Sequence, residues 1–244
     1  MPKLLQNQFL SLASATFLAA IVVLNGCSSS EPVANKETMT ESMTESMTKS
    51  MSEGEIANTN FKDKLSGINL LNDLKQGGYV IYFRHAQTEK DYADQVKAVM
   101  GDCSTQRKLS EVGWKQAKDI GEGFRKYDIP FDKVISSQYC RAWQTADLAF
   151  GQYEKNGDLN FPKAEDYTPE QVAQMKERLD PILTAVPPQG TNTVIVGHDD
   201  LFEASTGIYP DPQGIAYIVK PDGNGKFDLI ANMLPEEWSK LGEN

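Results

Sequence analysis

Tyr79-Val80-Ile81-Tyr82-Phe83-Arg84-His85-Ala86-Gln87-Thr88-Glu89-Lys90 is the stretch whose reading decides the fold. Five apolar or aromatic residues follow Gly77-Gly78, which suits the start of a strand. The run is continuous rather than alternating, so it predicts a central strand covered on both faces by helices. In an open α/β sheet the ligand crevice lies where such a strand ends. Arg84 and His85 therefore fall where chemistry is expected. Alone, an Arg-His dipeptide also reads as a surface turn, and the rest of the chain has to decide.

Working outward, two further strands carry similar endings. Lys133–Ser136 leads through Ser137-Gln138-Tyr139-Cys140 to Arg141, near the start of a helix over Ala142–Phe150. Free backbone N–H groups at a helix start favour an anion. Thr193–Val196 leads to Gly197-His198-Asp199-Asp200. Helices are predicted over 62–76, from a Ser110 cap onward, and over 169–184. The Ser110 helix carries Trp114, Ala117, Ile120, Gly121 and Phe124 as an expected core stripe. Strands joined through helices run parallel, so their C-terminal ends share one edge. Arg84, His85, Arg141 and His198 can converge there, and the chain has only two histidines. Residues 87–108, with Asp91, Tyr92, Asp94, Cys103 and Arg107, are polar and long enough to line such a site. Residues 151–168 read as a loop, and 215–220 with 227–232 as a hairpin turned at Asp222-Gly223-Asn224-Gly225.

Two guanidinium groups and two imidazoles at one sheet edge suit phosphoryl transfer. Arginine offers bidentate donors to a tetrahedral oxyanion. One imidazole can attack phosphorus and carry it covalently. The other, protonated, can stabilise the phosphoryl oxygens. Two histidines and scattered acids form no zinc signature, and neither a metal nor a cofactor is called for.

These residues lie in segments that resemble the histidine phosphatase superfamily, also called phosphoglycerate-mutase-like. Arg84-His85-Ala86-Gln87-Thr88-Glu89 resembles its Arg-His-Gly-Glu-Thr form, with Ala86 in place of the usual glycine. Leu109-Ser110-Glu111-Val112-Gly113-Trp114-Lys115-Gln116-Ala117 is similar to its Leu-Thr-x-x-Gly-x-x-Gln-Ala helix start. Ser136–Ala146 is similar to its Ser-(x)-Arg-Ala-x-Gln-Thr-Ala segment, and Val196-Gly197-His198 to its last motif. The resemblance implies an α/β three-layer sandwich with a mostly parallel central sheet flanked by helices. It implies His85 as the phosphorylated nucleophile, with Arg84, Arg141 and His198 completing the phosphate pocket. The proton donor stays open between Asp199, Glu165, Glu154 and no dedicated donor.

The N-terminus points to the cell envelope. Lys3, an apolar stretch from Phe9 to Leu24, and Leu24-Asn25-Gly26-Cys27-Ser28 resemble a bacterial lipoprotein signal, with Cys27 lipidated. An uncleaved anchor is the alternative. Residues 1–26 then form a signal peptide, 27–60 a disordered tether with repeats of Met-Thr-Glu-Ser, and 61–244 the phosphatase domain. The expected location is extracytoplasmic and lipid-anchored, on the periplasmic face of a membrane, with the outer membrane favoured by Ser28. Cys103 and Cys140 remain as a pair, read as a disulfide or as two free thiols. The net charge of −10 lacks the basic footprint of nucleic-acid binding. The expected partners are a phosphorylated small molecule or envelope phospho-substrate, and the membrane through the N-terminal lipid. A non-catalytic phospho-ligand-binding lipoprotein and a phosphomutase are the competing functions.

Overall fold

The structure, a computed structural model, describes residues 51–89, 97–164 and 166–243. The signal segment, Cys27, the Met-Thr-Glu-Ser repeats as far as Ser50, Asp91, Tyr92, Asp94 and Glu165 lie outside the described residues. Six strands form one sheet: β1 Val80–Arg84, β2 Phe131–Ser137, β3 Glu154–Asn156, β4 Asn192–Gly197, β5 Ala216–Pro221 and β6 Phe227–Met233. Their order is β3-β2-β4-β1-β5-β6. The first four strands in that order are parallel to one another, and β5 and β6 run antiparallel as a hairpin.

All five residues of β1 are buried. Its side chains divide between two cores. Ile81 and Phe83 join a cluster with Leu70, Leu71 and Leu74 of α2 (Gly67–Gln76), Ile120 and Phe124 of α3 (Glu111–Lys126), and the alanines of α4 (Cys140–Phe150). Val80 and Tyr82 join the opposite cluster with Met175, Leu179 and Leu183 of α5 (Pro169–Leu183) and Leu201 and Phe202 of α6 (Asp199–Thr206). This is why the apolar run does not alternate: both faces of the pleat are inside. Each such side chain contributes about 1.5–3 kcal/mol by leaving water.

Three expectations change. Trp114 is 48% exposed rather than core. The buried stripe of α3 runs through Gly113, Ala117, Ile120, Gly121 and Phe124 instead. Its first turn passes so close to the chain at Gln87 that a side chain at 113 would meet the Gln87 carbonyl oxygen at 2.0 Å. The helix therefore rotates Trp114 to the rim. Residues 151–168 contain β3, a short extra parallel strand held in register by Ile135, Ser136 and Ser137. Residues 53–60, read as the end of the tether, form a helix, α1 (Glu53–Asn60), with a capping box between Ser52 and Glu55. Its apolar content is low, but Gly54 is buried against Glu203 and Tyr209 and so ties the helix to the body. The ordered body begins before residue 61.

Candidate active site

The C-terminal ends of β1, β2 and β4 bring Arg84, His85, Arg141 and His198 together, all four buried. Parallel pairing matches Arg84 with Gly197, so the two histidines follow neighbouring strand ends. Their rings lie 5.4 Å apart, centroid to centroid. Backbone bonds lock His85 in place: its N–H donates to Gly197 O at 3.0 Å, and its carbonyl accepts from Gly214 at 3.0 Å. The next residue, Ala86, donates to Thr145 Oγ1 at 3.0 Å, and that hydroxyl donates to Arg141 O at 2.7 Å. Thr145 thus ties the histidine loop to the helix that carries the second arginine.

The protonation pattern of His85 follows from its partners. Arg141 Nε lies 3.0 Å from His85 Nε2. A guanidinium can only donate, so Nε2 presents its lone pair. Nδ1 must then carry the proton, and it lies 2.8 Å from Ala86 O. This is a neutral imidazole with an oriented lone pair. Burial, and then the charges of Arg141 and the other basic groups, hold its pKa well below the usual histidine range.

His198 is set by a different chain of bonds. Its Nε2 lies 2.8 Å from Ser137 Oγ, whose own proton goes to Asn160 Oδ1 at 2.9 Å. Nε2 is therefore the protonated nitrogen. Nδ1 is buried with no partner among the described residues. Burial, then Arg141, lowers its pKa well below the usual value, so His198 is neutral here rather than the expected imidazolium. A phosphoryl dianion nearby would reverse that balance and bring a proton to Nδ1. Tyr139 and Phe161 enclose the ring, with centroids 5.2 and 4.7 Å away. The same two aromatic rings lie under the Arg141 guanidinium.

Arg84 is held by the protein. Its terminal nitrogens donate to Pro210 O at 2.9 Å, Asp211 Oδ1 at 3.0 Å, Asp199 Oδ2 at 2.7 Å and the Tyr209 hydroxyl at 3.2 Å. Its Nε is buried with no partner among the described residues. Buried donors of this kind call for an acceptor, and a phosphoryl oxygen is one.

Asp199 is taken up as the counter-ion of Arg84. The carboxyl that stands apart is Asp200, one residue further on. Burial, then the Asp199 charge, pushes its pKa up to about 7, against the pull of Arg141 and a hydrogen bond from Tyr167. Sequence reasoning passed over Asp200 because the first turn of α6 was not foreseen. The available signal was the doubled acid directly after His198. Arg107, read only as a lining residue, binds Thr88 Oγ1 through Nε at 3.1 Å and Nη2 at 2.6 Å, and its charge reaches His198.

Cys103 and Cys140 form a disulfide, with Cα atoms 5.7 Å apart. Gln106 adds a second tie, its Oε1 accepting from Cys140 N at 2.8 Å. Together they fasten the 97–109 loop to the start of α4, beside Arg141. Glu154 lies exposed on β3.

Residues 80–160 match the family described as Histidine phosphatase superfamily (branch 1). The mitochondrial serine/threonine-protein phosphatase Pgam5 of Drosophila grimshawi is 32% identical over 90 residues, covering 36% of this chain and 28% of that protein. Its counterpart in Drosophila persimilis is 35% identical over 83 residues, covering 33% of this chain and 26% of that protein. The chain spans less than a third of the length of these curated relatives. Among solved structures, the protein histidine phosphatase SixA complexed with tungstate aligns over 64% of this chain and 97% of its own, at 16% identity and TM-score 0.47. Phosphoserine phosphatase of Entamoeba histolytica aligns over 63% and 95%, at 17% identity and TM-score 0.43. The Arg84-His85, Leu109–Ala117 and Ser136–Ala146 motifs lie in order along the matched segment, so residues 80–160 are those of a histidine phosphatase superfamily segment, and Val196-Gly197-His198 follows beyond it.

Proposed function

We propose that the protein is a phosphomonoester hydrolase working through a phosphohistidine at His85. The observation that carries this is the 3.0 Å approach of Arg141 Nε to a His85 Nε2 that has no proton of its own. Substrate phosphorus takes the place facing that lone pair, and the Arg141 donors turn to the phosphoryl oxygens. Nε2 forms a bond to phosphorus as the ester P–O bond breaks. Asp200, protonated near neutrality, gives its proton to the departing oxygen. Water then attacks the phosphohistidine and gives its proton to the Asp200 carboxylate. The P–N bond breaks, inorganic phosphate leaves, and the lone pair returns to Nε2. Arg84 Nε and a protonated His198 Nδ1 neutralise the oxygens in both steps.

The proposal includes place as well as chemistry. The Leu-Asn-Gly-Cys27 segment supports export and lipid anchoring at a bacterial membrane, and a disulfide beside the site suits an oxidising compartment. Membrane fractionation of the full-length protein beside Cys27→Ala tests the anchor; release of the variant into the soluble fraction is expected.

The test of the chemistry is hydrolysis of an aryl phosphate by the full-length oxidised protein and by His85→Ala. Activity abolished in the variant, with an acid-labile phosphoryl group trapped on the native protein, is the expected result. Turnover that survived His85→Ala would overturn the mechanism. No turnover with phosphate still bound would favour a binding protein.

A further inference from the structure

Arg84 is held by residues 209–211 as well as by Asp199, and residues 209–211 lie between the arginine and α1. On one side they give Arg84 the Pro210 carbonyl, the Asp211 carboxylate and the Tyr209 hydroxyl. The Tyr209 ring also lies 5.0 Å from the guanidinium carbon. On the other side α1 holds two of the three, Tyr209 and Asp211. Tyr209 N donates to Gly54 O at 3.1 Å, and Asn58 Nδ2 donates to Asp211 O at 2.8 Å. The Tyr217 hydroxyl hydrogen-bonds Asn58 Oδ1 and fixes the amide's direction. Gly54 permits the contact: a side chain there would come within 2.0 Å of Glu203 Oε1 and 3.1 Å of Tyr209 Cβ.

We propose that α1 is a positioning element of the phosphate pocket, with Gly54 and Asn58 acting through residues 209–211 to aim Arg84 Nε at the phosphoryl group. The inference rests on the phosphatase reading of the site and extends it. The segment that leads in from the N-terminus thereby sets how tightly the pocket holds phosphate. Neither residue touches substrate; both act through Arg84.

The experiment compares full-length native protein with Asn58→Ala, Asn58→Asp and Gly54→Ala. KM and kcat for an aryl phosphate, inhibition by inorganic phosphate and Tm are read together. Tyr127→Phe, which loses a hydrogen bond to Ser239 O far from the pocket, serves as a control for mild destabilisation. The expected result is a KM and a phosphate inhibition constant raised roughly tenfold in Asn58→Ala, with kcat changed much less. Asn58→Asp should behave alike, since it keeps the acceptor for Tyr217 and loses the donor to Asp211. Variants whose Tm falls while KM and phosphate inhibition stay native would overturn the proposal. Should the native protein itself prove inactive, the phosphatase reading fails. Calorimetric binding of inorganic phosphate then decides the present question: weaker binding in the Asn58 variants supports it, and equal binding overturns it.

Discussion

The two arginines of the pocket are held in opposite ways. Arg84, at the end of β1, is caged by Asp199, Asp211, Tyr209 and a backbone carbonyl, and its Nε has no partner among the described residues. Arg141, in the first turn of α4, lies over two aromatic rings and donates to His85, the proposed nucleophile. One side of the site is built from fixed charge pairs. On the other, the arginine faces the group proposed to react, and the proposed mechanism has it turn from His85 to the substrate. The difference is between a cation held by fixed carboxylates and one aimed at the group proposed to react.

The sharpest way to break this comparison is to remove each arginine in turn. Arg141→Met should lower kcat by about 10²–10³, because it removes the donor that faces His85 Nε2. Arg84→Met should also weaken phosphate binding, but it leaves Asp199 uncompensated and costs about 3–5 kcal/mol of stability. Steady-state kinetics checks the first and denaturant titration the second; a native denaturation midpoint in Arg84→Met would dissolve the picture of a caged arginine.

The neighbouring aspartates offer a second test. Asp200→Asn should slow hydrolysis of alkyl phosphates by about 10²-fold or more, and of aryl phosphates with good leaving groups far less. Asp199→Asn should act mainly on Tm. The sign of the pH effect follows from Asp200's raised pKa of about 7. The folded protein holds a proton that the unfolded chain has released above about pH 4, so this residue's contribution to stability is lost as pH rises through about 7. Asp200→Asn should flatten that fall. The rate with alkyl substrates should decline over the same range as the donor loses its proton.

Reducing Cys103–Cys140 frees a loop with a sequence separation of 37 and should cost up to about 4 kcal/mol, read as a lower denaturation midpoint. Because the bond fastens the loop next to Arg141, KM should rise as well. The smallest effect concerns the histidines. Both have folded pKa values below the unfolded value of about 6.5, so the unfolded chain takes up protons first and stability is lost as pH falls below about 6.5. His198→Gln should reduce that acid sensitivity.

Much of the fold was legible because burial on both faces of β1 leaves an unbroken apolar run, and because glycine and proline mark the turns. The convergence of Arg84, His85, Arg141 and His198 followed from strand ends sharing an edge. What stayed hidden depended on tertiary contacts. Trp114 fits the α3 periodicity, yet the close approach of Gly113 to Gln87 rotates it outward. α1 has little apolar surface and is held by hydrogen bonds to residues 209–211, which no local pattern announces. Asp199 and Asp200 look alike in sequence; only the reach of Arg84 tells them apart.

One contact beneath the site reaches further. The Tyr82 hydroxyl donates to His198 O at 2.7 Å and accepts from His198 N at 2.9 Å. It occupies the space beside Gly197, where a Cβ would meet it at 2.3 Å. A core tyrosine on one strand and a missing side chain on the next are thus two halves of a single shape. Neither position is free to drift by itself: alanine at 197 requires a smaller residue at 82, and that residue no longer grips the backbone of His198. Over evolutionary time the pair is expected to be inherited together or replaced together, and an alignment of relatives would carry that as covariation between positions 82 and 197.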